Sequence, residues 1–413
     1  MDDIFLLELA KKKSNHAWIG TRPPFNFEGI DLLNSTNYRV SASLHQNFEV
    51  VWFYEHCLNN LKTSGWKIVL DEAIRLLDEN GLLVIRSAES ENLTTPMIKN
   101  YIGRHVAIDA FVEYEVQDKT DNIWTFVFRI HRRHIEFYKD KRWTFAVLTN
   151  GEKVNNVIQF LQSIRKFDVD ENYEIIISGP PNESYEKYNV LYLDISQFRD
   201  HKYAEISRKK NLICDMAKNP NIMIIHDRFS LDDGFFSGFE QFGYDFDFLT
   251  IKQYYESGTE FPSYCAMKNS LHWESPIKVD NYNQLYEGQY LNGGLLIFKT
   301  HILRRLKFNG LLMWNQMEDA EISRYAIDNS IVPRINFLSS ATTIGIDESY
   351  TSTFQKENSK EIINPLNISF DSFNVKNKNK LSRYLGVSRF IPEVIKRKSK
   401  IYSNIKRYLL ERI

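Results

Sequence analysis

Between Trp143 and Ile327 the chain switches repeatedly between short continuous apolar runs and longer stretches whose apolar residues recur every three or four positions. A short continuous run bounded by turn residues fits a strand covered on both faces, whereas 3.6-residue spacing fits an amphipathic helix. The order is WTFAVLTNG (Trp143 to Gly151), a helical pattern from Val154 to Phe167, YEIIISGPP (Tyr173 to Pro181), YNVLYLDI (Tyr188 to Ile195), a helical pattern around Ser207 to Ala217, and NIMIIHDR (Asn221 to Arg228). This reads as β-α-β-β-α-β, and it is followed by YLNGGLLIFK (Tyr290 to Lys299) and a helical pattern in WNQMEDAEISRYAI (Trp314 to Ile327). Such alternation constrains the segment to an α/β sheet with helices on both faces.

The run from Asn221 ends abruptly in His226, Asp227 and Arg228. A buried strand that delivers a carboxylate at its carboxyl end is how an open α/β sheet presents charge to a ligand. Taken with the turn Thr149-Asn150-Gly151 after the first strand, the basic stretch Arg208-Lys209-Lys210, the glycine turn Asn292-Gly293-Gly294 and the pair Glu318-Asp319, residues 143 to about 345 resemble the GT-A fold of nucleotide-sugar-dependent glycosyltransferases, most like the family 2 type. The fold class expected from this resemblance is a GT-A type mixed α/β sheet. The family's metal-binding Asp-x-Asp would fall on His226-Asp227-Arg228, where one of the two acids is present.

The resemblance implies a division of labour. A departing nucleoside diphosphate develops negative charge, which a metal ion or fixed donors must meet. Asp227 would hold Mg²⁺ or Mn²⁺ through one carboxylate, with His226 a second ligand if the ion is Mn²⁺. Thr149, Asn150, Gly179, Asp194, Lys209, Lys210, Asp227 and Arg228 make up the expected donor side, and Asn292, Gly293 and Gly294 the acceptor side. Asp319 is the expected base for the acceptor hydroxyl, with Glu318 second. Each residue also has a plainer role open to it. Asp227 suits a turn or a helix cap, Glu318 and Asp319 suit the positive end of a helix dipole, and Arg208 to Lys210 suit a solvated helix face. His272-Trp273-Glu274 could touch the acceptor or pack as a loop aromatic.

Residues 1 to 138 read as a different α/β unit. NFEVVWFYEHCLNNL (Asn47 to Leu61), the helical WKIVLDEAIRLLDENG, the strand LLVIRS (Leu82 to Ser87), VAIDAFVEYEV and IWTFVFRIHRR follow in an order similar to the C-terminal half of a class I S-adenosylmethionine methyltransferase. Upstream of Asn47 only Gly20 and Gly29 are available and there is no G-x-G, so no S-adenosylmethionine is expected to bind and the unit is read as degenerate, with a packing, docking or acceptor-orienting role. Glu55 and His56 are weak site candidates there. The junction HIEFYKDK (His134 to Lys141) lacks Gly and Pro and should hold the parts close. The expected boundaries are 1–138, 139–350 and 351–413.

From Val375 to Ile413 twelve lysines and arginines face two glutamates, a net of +10 in a chain of net charge −1. After Pro392 a stripe of Ile395, Tyr402, Ile405 and Leu409 lies between the basic residues. A basic amphipathic helix of this kind fits an anionic membrane surface, or packing on the chain's own acidic body. No stacking aromatics accompany the charge, so nucleic acid is not an expected partner. No apolar run approaches the ~20 residues of a membrane span. The N-terminus carries acids before bases, unlike a secretory signal, and Cys57, Cys214 and Cys265 fall at unrelated spacings, which reads as a reduced, cytoplasmic protein lying at most peripherally on the membrane. The expected function is transfer of a sugar, with UDP as the default nucleotide, to a glycan or lipid-linked acceptor in bacterial surface polysaccharide synthesis. The alternatives are an S-adenosylmethionine-dependent methyltransferase and a non-catalytic glycan-assembly protein.

Overall fold

The computed structural model describes residues 3–61, 65–90, 93–166, 173–198, 204–267, 276–286 and 288–351, all within one unit of the chain. The basic segment 375–413 and His272-Trp273-Glu274 lie outside the described residues.

The first 138 residues build a six-stranded sheet from β1 (His16–Ile19), β2 (Glu28–Ile30), β3 (Phe48–Phe53), β4 (Leu77–Ala88), β5 (Ile108–Asp118) and β6 (Ile123–Arg132), ordered β2-β1-β3-β4-β6-β5. The four strands from β2 to β4 run parallel, and β6 and β5 extend them antiparallel. Two strands, β1 and β2, precede Asn47, where no strand was read from sequence because three or four residues are too few to show a period. Helices α1 (Ile4–Lys12), α2 (Gly65–Leu76) and α3 (Thr95–Arg104) cover the sheet. Leu6 and Leu9 of α1 pack on Trp18, Trp52 and Val84, while Trp66, Ile68 and Val69 of α2 and Ile98 of α3 pack on Ala17, Val51 and Ile85 of the opposite face.

The second sheet contains β7 (Trp143–Leu148), β8 (Tyr173–Ser178), β9 (Val190–Tyr192), β10 (Asn221–His226), β11 (Phe229–Leu231), β12 (Phe248–Tyr254), β13 (Glu260–Phe261), β17 (Leu295–Lys299) and β18 (Arg334–Thr343), in the order β11-β18-β12-β17-β10-β7-β8-β9 with β13 paired to β12. β14 (Tyr264–Ala266), β15 (Ile277–Lys278) and β16 (Gln289–Leu291) form a small third sheet. β10, β7, β8 and β9 run parallel and β17 antiparallel to β10, so the architecture is mixed α/β. Helices α4 (Val154–Arg165) and α6 (Phe235–Phe242) cover one face, and α5 (Ile206–Met216), α7 (Thr300–Leu306) and α8 (Glu318–Asp328) the other.

The period of two along each strand sorts the core. In β10, Ile222 and Ile224 join the cluster under α5, α7 and α8, whereas Met223 and Ile225 join the cluster under α4 and α6. In β7, Ala146 and Leu148 go one way and Phe145 and Val147 the other. The uninterrupted apolar reading of these runs is thus the signature of two covered faces.

Buried charge joins the two large sheets. Arg75 of α2 donates to Asp71 at 2.8 Å, to Asp245 at 2.8 Å and to Asp247 at 2.6 Å. Arg132 of β6 reaches both oxygens of Asp245 at 2.8 Å, and Arg334 of β18 reaches Asp71 at 2.7 Å. Tyr138, inside the junction, donates to Asp247 at 2.6 Å, and Lys299 donates to the carbonyl of Phe137 at 2.8 Å. The junction is therefore held by hydrogen bonds to Asp247 and Lys299 of the second sheet's region.

Candidate functional site

The site grows from the carboxyl ends of β7, β8 and β10. After Leu148 the chain turns through Thr149, whose N–H donates to the carbonyl of Ser178 at 3.1 Å. Its hydroxyl donates to Asp227 Oδ2 at 2.6 Å and accepts from the N–H of Gly151 at 3.0 Å. Gly179 permits this closeness, since a Cβ there would lie 2.4 Å from Thr149 Cγ2 and 2.7 Å from its carbonyl oxygen. Asn156, in the first turn of α4, donates to the carbonyl of Asp227 at 3.1 Å. Asp227 Oδ1 makes no hydrogen bond among the described residues.

Neighbouring residues of the strand end diverge. The N–H of His226 donates to the carbonyl of Gly294 at 3.0 Å, and that of Asp227 to Leu148 at 3.2 Å on the other side. His226 continues the Ile222 and Ile224 face toward α5. Its ring Nε2 is buried with no hydrogen-bond partner, and burial together with the charges of Arg228, Lys210 and Lys153 holds its pKa well below the ordinary imidazole value. Asp227 continues the opposite face toward Thr149. One carboxylate whose second oxygen is free fits a hard cation completed by phosphate and water oxygens. A ring surrounded by three cations does not fit as that ion's second ligand, so the expectation for His226 is not met by its surroundings.

Arg228 spans the centre of the site. Its Nη1 donates to the hydroxyl of Tyr350 at 2.5 Å, the tyrosine ring lies 4.9 Å from the guanidinium carbon, and a Cβ on Gly294 would fall 2.7 Å from Nη2. Gly294 thus leaves room for the guanidinium. Its neighbour Gly293 is clamped from both sides. The N–H of Gly293 donates to Asp319 Oδ2 at 2.8 Å, and its carbonyl accepts from Lys210 Nζ at 3.4 Å. Asn292 closes the turn by accepting from the N–H of Gly294 at 3.1 Å. The turn Asn292-Gly293-Gly294 therefore connects the strand end that carries Asp227 and Arg228 with the helix that carries the acid pair.

Glu318 and Asp319 open α8, which begins four residues later than its sequence pattern because Asn315 and Met317 adopt left-handed backbone angles, φ 62° and 64°. Asp319 accepts from the N–H groups of Gly293 and Ala320, but burial and the adjacent Glu318 outweigh them and raise its pKa to about 6. Lys210, fully buried, lies 3.2 Å from Glu318 Oε1. The reading of Arg208, Lys209 and Lys210 as one solvated face fails at Lys210. Lys209 instead lies over the ring of Phe198 at 5.5 Å, so successive lysines of α5 part company.

Two further candidates remain apart from this constellation. Asn150 is exposed and accepts from the N–H of Glu152, and exposed Asp194 accepts from Ser196 within its own turn. Sequence reasoning missed Asn156 and Tyr350. Nothing local marks an asparagine in a helix's first turn or a tyrosine in a single 3₁₀ turn, Glu348–Thr351, and both join the site only through residues more than seventy positions away.

In the first sheet, Glu55 accepts from Trp18 Nε1 at 2.9 Å and from the N–H of Arg22 at 3.0 Å. It fills the space above Gly20, where a Cβ would lie 2.0 Å from Glu55 Oε2. The glycine at the end of β1 therefore faces a carboxylate of its own chain. Asp71, His105 and Asp247 bring three potential metal-ligating atoms within 4.8 Å. Arg75 already bonds both carboxylates, and the adjoining cavity of about 10 Å³ leaves room for a water at most, so this cluster is an ionic network.

No family model and no curated protein matches the chain. Parts of solved glycosyltransferase structures do. TarS of S. aureus is 13% identical over 51% of this chain and 38% of its own, with a TM-score of 0.36. TarS 1–349 in complex with UDP-GlcNAc is 13% identical over 51% of this chain and 61% of its own, with a TM-score of 0.36. GalNAc-T7 with UDP, GalNAc and Mn²⁺ is 11% identical over 57% of this chain and 48% of its own, with a TM-score of 0.40. The chain thus spans less than two thirds of each structure, and the site's chemistry rests on its own residues. These comparisons lend no support to the methyltransferase-like reading of residues 1–138. Among the described residues no helix is long and apolar enough to cross a membrane.

Proposed function

We propose that this chain transfers a sugar from a nucleotide-sugar donor, with UDP the first nucleotide to test, to a hydroxyl of a glycan or lipid-linked acceptor. The observation that carries the reading is the Asn292-Gly293-Gly294 turn, which holds a cationic, carboxylate-bearing strand end on one side and a carboxylate of raised pKa on the other. A glycosyl transfer needs those two functions on opposite sides of the anomeric carbon: charge for the leaving diphosphate and a proton acceptor for the incoming hydroxyl.

In this reading Arg228 exchanges its contact with the Tyr350 hydroxyl for diphosphate oxygens. Asp227, oriented by Thr149, would hold a divalent ion whose charge assists the departure of the diphosphate. Asp319 takes the acceptor proton as the new bond forms and the old one breaks. A carboxylate with a pKa of about 6 is ionised at neutral pH yet more basic than an ordinary aspartate. A single base acting on the acceptor accords with inversion at the anomeric carbon. Peripheral membrane association and a role in bacterial polysaccharide synthesis extend the proposal and concern the segment 375–413 and the acceptor. Residues 1–138 serve in it as a docking and packing unit.

The test is release of UDP from UDP-GlcNAc, UDP-GalNAc and UDP-glucose, with and without Mn²⁺. Asp319→Asn should lower kcat by roughly 10²- to 10⁴-fold while leaving nucleotide affinity largely unchanged. Turnover that survives in both Asp319→Asn and Asp227→Ala would overturn the assignment.

A further inference from the structure

Lys210 comes from α5, and its ammonium is shut away from solvent between Glu318 Oε1 at 3.2 Å, the carbonyl of Gly293 at 3.4 Å and the ring of Phe308 at 5.0 Å. A buried ammonium in such a place is held by its counter-charge. It contacts one member of the acid pair and not the other. Asp319 is bound instead by two backbone N–H groups, those of Gly293 and Ala320, at 2.8 and 2.9 Å. The charged and titratable groups around Asp319 are Glu318 on its own helix, Lys210 from α5, and Cys265 and Tyr290 from the small sheet. Lys210 in turn faces Glu318 and the ring of His226.

Two adjacent carboxylates at the start of one helix are chemically ambiguous, since either can keep a proton while the other ionises. We propose that Lys210 is a positioning residue that pins Glu318 as a structural carboxylate, and so leaves Asp319 as the group that exchanges a proton with the acceptor. The same ammonium holds the carbonyl of Gly293, whose N–H orients Asp319. This assignment rests on the transfer reading and replaces the expectation that Lys210 grips the donor phosphates.

The test compares wild type, Lys210→Met, Lys210→Arg and the double variant Lys210→Met/Glu318→Gln. Two readouts are taken from about pH 5 to about pH 9: kcat/KM for UDP release from the UDP-sugar the wild type uses, and stability to urea. Lys210 is one of the charges that lower the Asp319 pKa, so Lys210→Met should move the acidic limb of kcat/KM to higher pH. Lys210→Arg should keep the limb in place. The double variant, which removes charge and counter-charge together, should return it toward wild type, and it also carries the test if Lys210→Met alone does not fold.

A Lys210→Met limb that stays in place while KM for the nucleotide sugar rises would overturn the proposal and make Lys210 a phosphate ligand. A double variant displaced as far as Lys210→Met would overturn it as well. If wild type turns over no UDP-sugar, the transfer reading fails, and stability still decides the role of Lys210. The raised pKa of Asp319 gives stability that is full below the ordinary carboxyl range and lost as pH rises through the folded-state value, so Lys210→Met should shift that loss upward. An unchanged pH dependence of stability would refute the positioning role.

Discussion

Asp245→Asn tests whether the charge between the two large sheets holds the molecule together. Asp245 is fully buried and accepts from Arg75 Nη1, from Arg132 Nη2 through both oxygens, and from Gln46 Nε2 at 2.9 Å. The substitution keeps the shape and removes the charge. Arg75 retains Asp71 and Asp247, but Arg132 is left with no carboxylate, only neutral partners such as the carbonyls of Arg75 and Leu77 and the ring of Tyr138. Leaving a buried guanidinium without its carboxylate costs about 3 to 5 kcal/mol. At about 2.1 cal/mol/K per residue, a unit of 367 residues has an unfolding entropy near 0.8 kcal/mol/K, so ~4 kcal/mol lowers Tm by about 5 °C. The two arginines hold the Asp245 carboxyl well below the usual carboxylate range, so its contribution is present above the ordinary carboxyl pKa and lost only as the solution becomes strongly acidic. The deficit should therefore be the same at about pH 6 and about pH 8. Urea unfolding followed by tryptophan fluorescence and far-UV circular dichroism measures it. A loss below about 1 kcal/mol would refute the reasoning, because it would mean that the pair contributes no more than an exposed one.

Gly179→Ala places a methyl against the backbone of Thr149. Its expected cost is about 1 to 3 kcal/mol of stability, with at least a tenfold loss of UDP-sugar turnover as Asp227 loses its orienting hydroxyl. Stability and turnover both unchanged would show that the turn gives way freely. Lys299 is buried beneath Tyr138 and Phe246, and burial lowers its pKa to about 7. Its folded-state pKa lies below its unfolded one, so its contribution to stability is full above the ordinary lysine range and is lost as pH falls toward 7. Lys299→Met should therefore flatten the rise in stability between neutral and alkaline pH, and parallel curves for variant and wild type would contradict the burial argument.

What sequence could tell was local. Continuous apolar runs between Trp143 and Lys299 identified β7, β8, β9, β10 and β17 of the second sheet, since a strand covered on both faces must be apolar at successive positions, whereas β11, β12, β13 and β18 were not read as strands. Asp227 stood out because a carboxylate ended such a run. The glycine turn at Asn292 and the acid pair at Glu318 were legible as patterns, but their meeting at the Gly293 amide was not, because 26 residues separate the partners and no period records it. Only the tertiary structure decided between Lys209 and Lys210. Both are lysines on one helix, and which of them is buried depends on the 100° turn between successive helical residues and on where α8 lies. It also decided between His226 and Asp227, because the strand's alternation sends neighbours to opposite faces. The charges of Arg75, Arg132, Asp245 and Asp247 look like surface residues in sequence. They became a buried network because both sheets supply partners, a condition that depends on residues far apart along the chain.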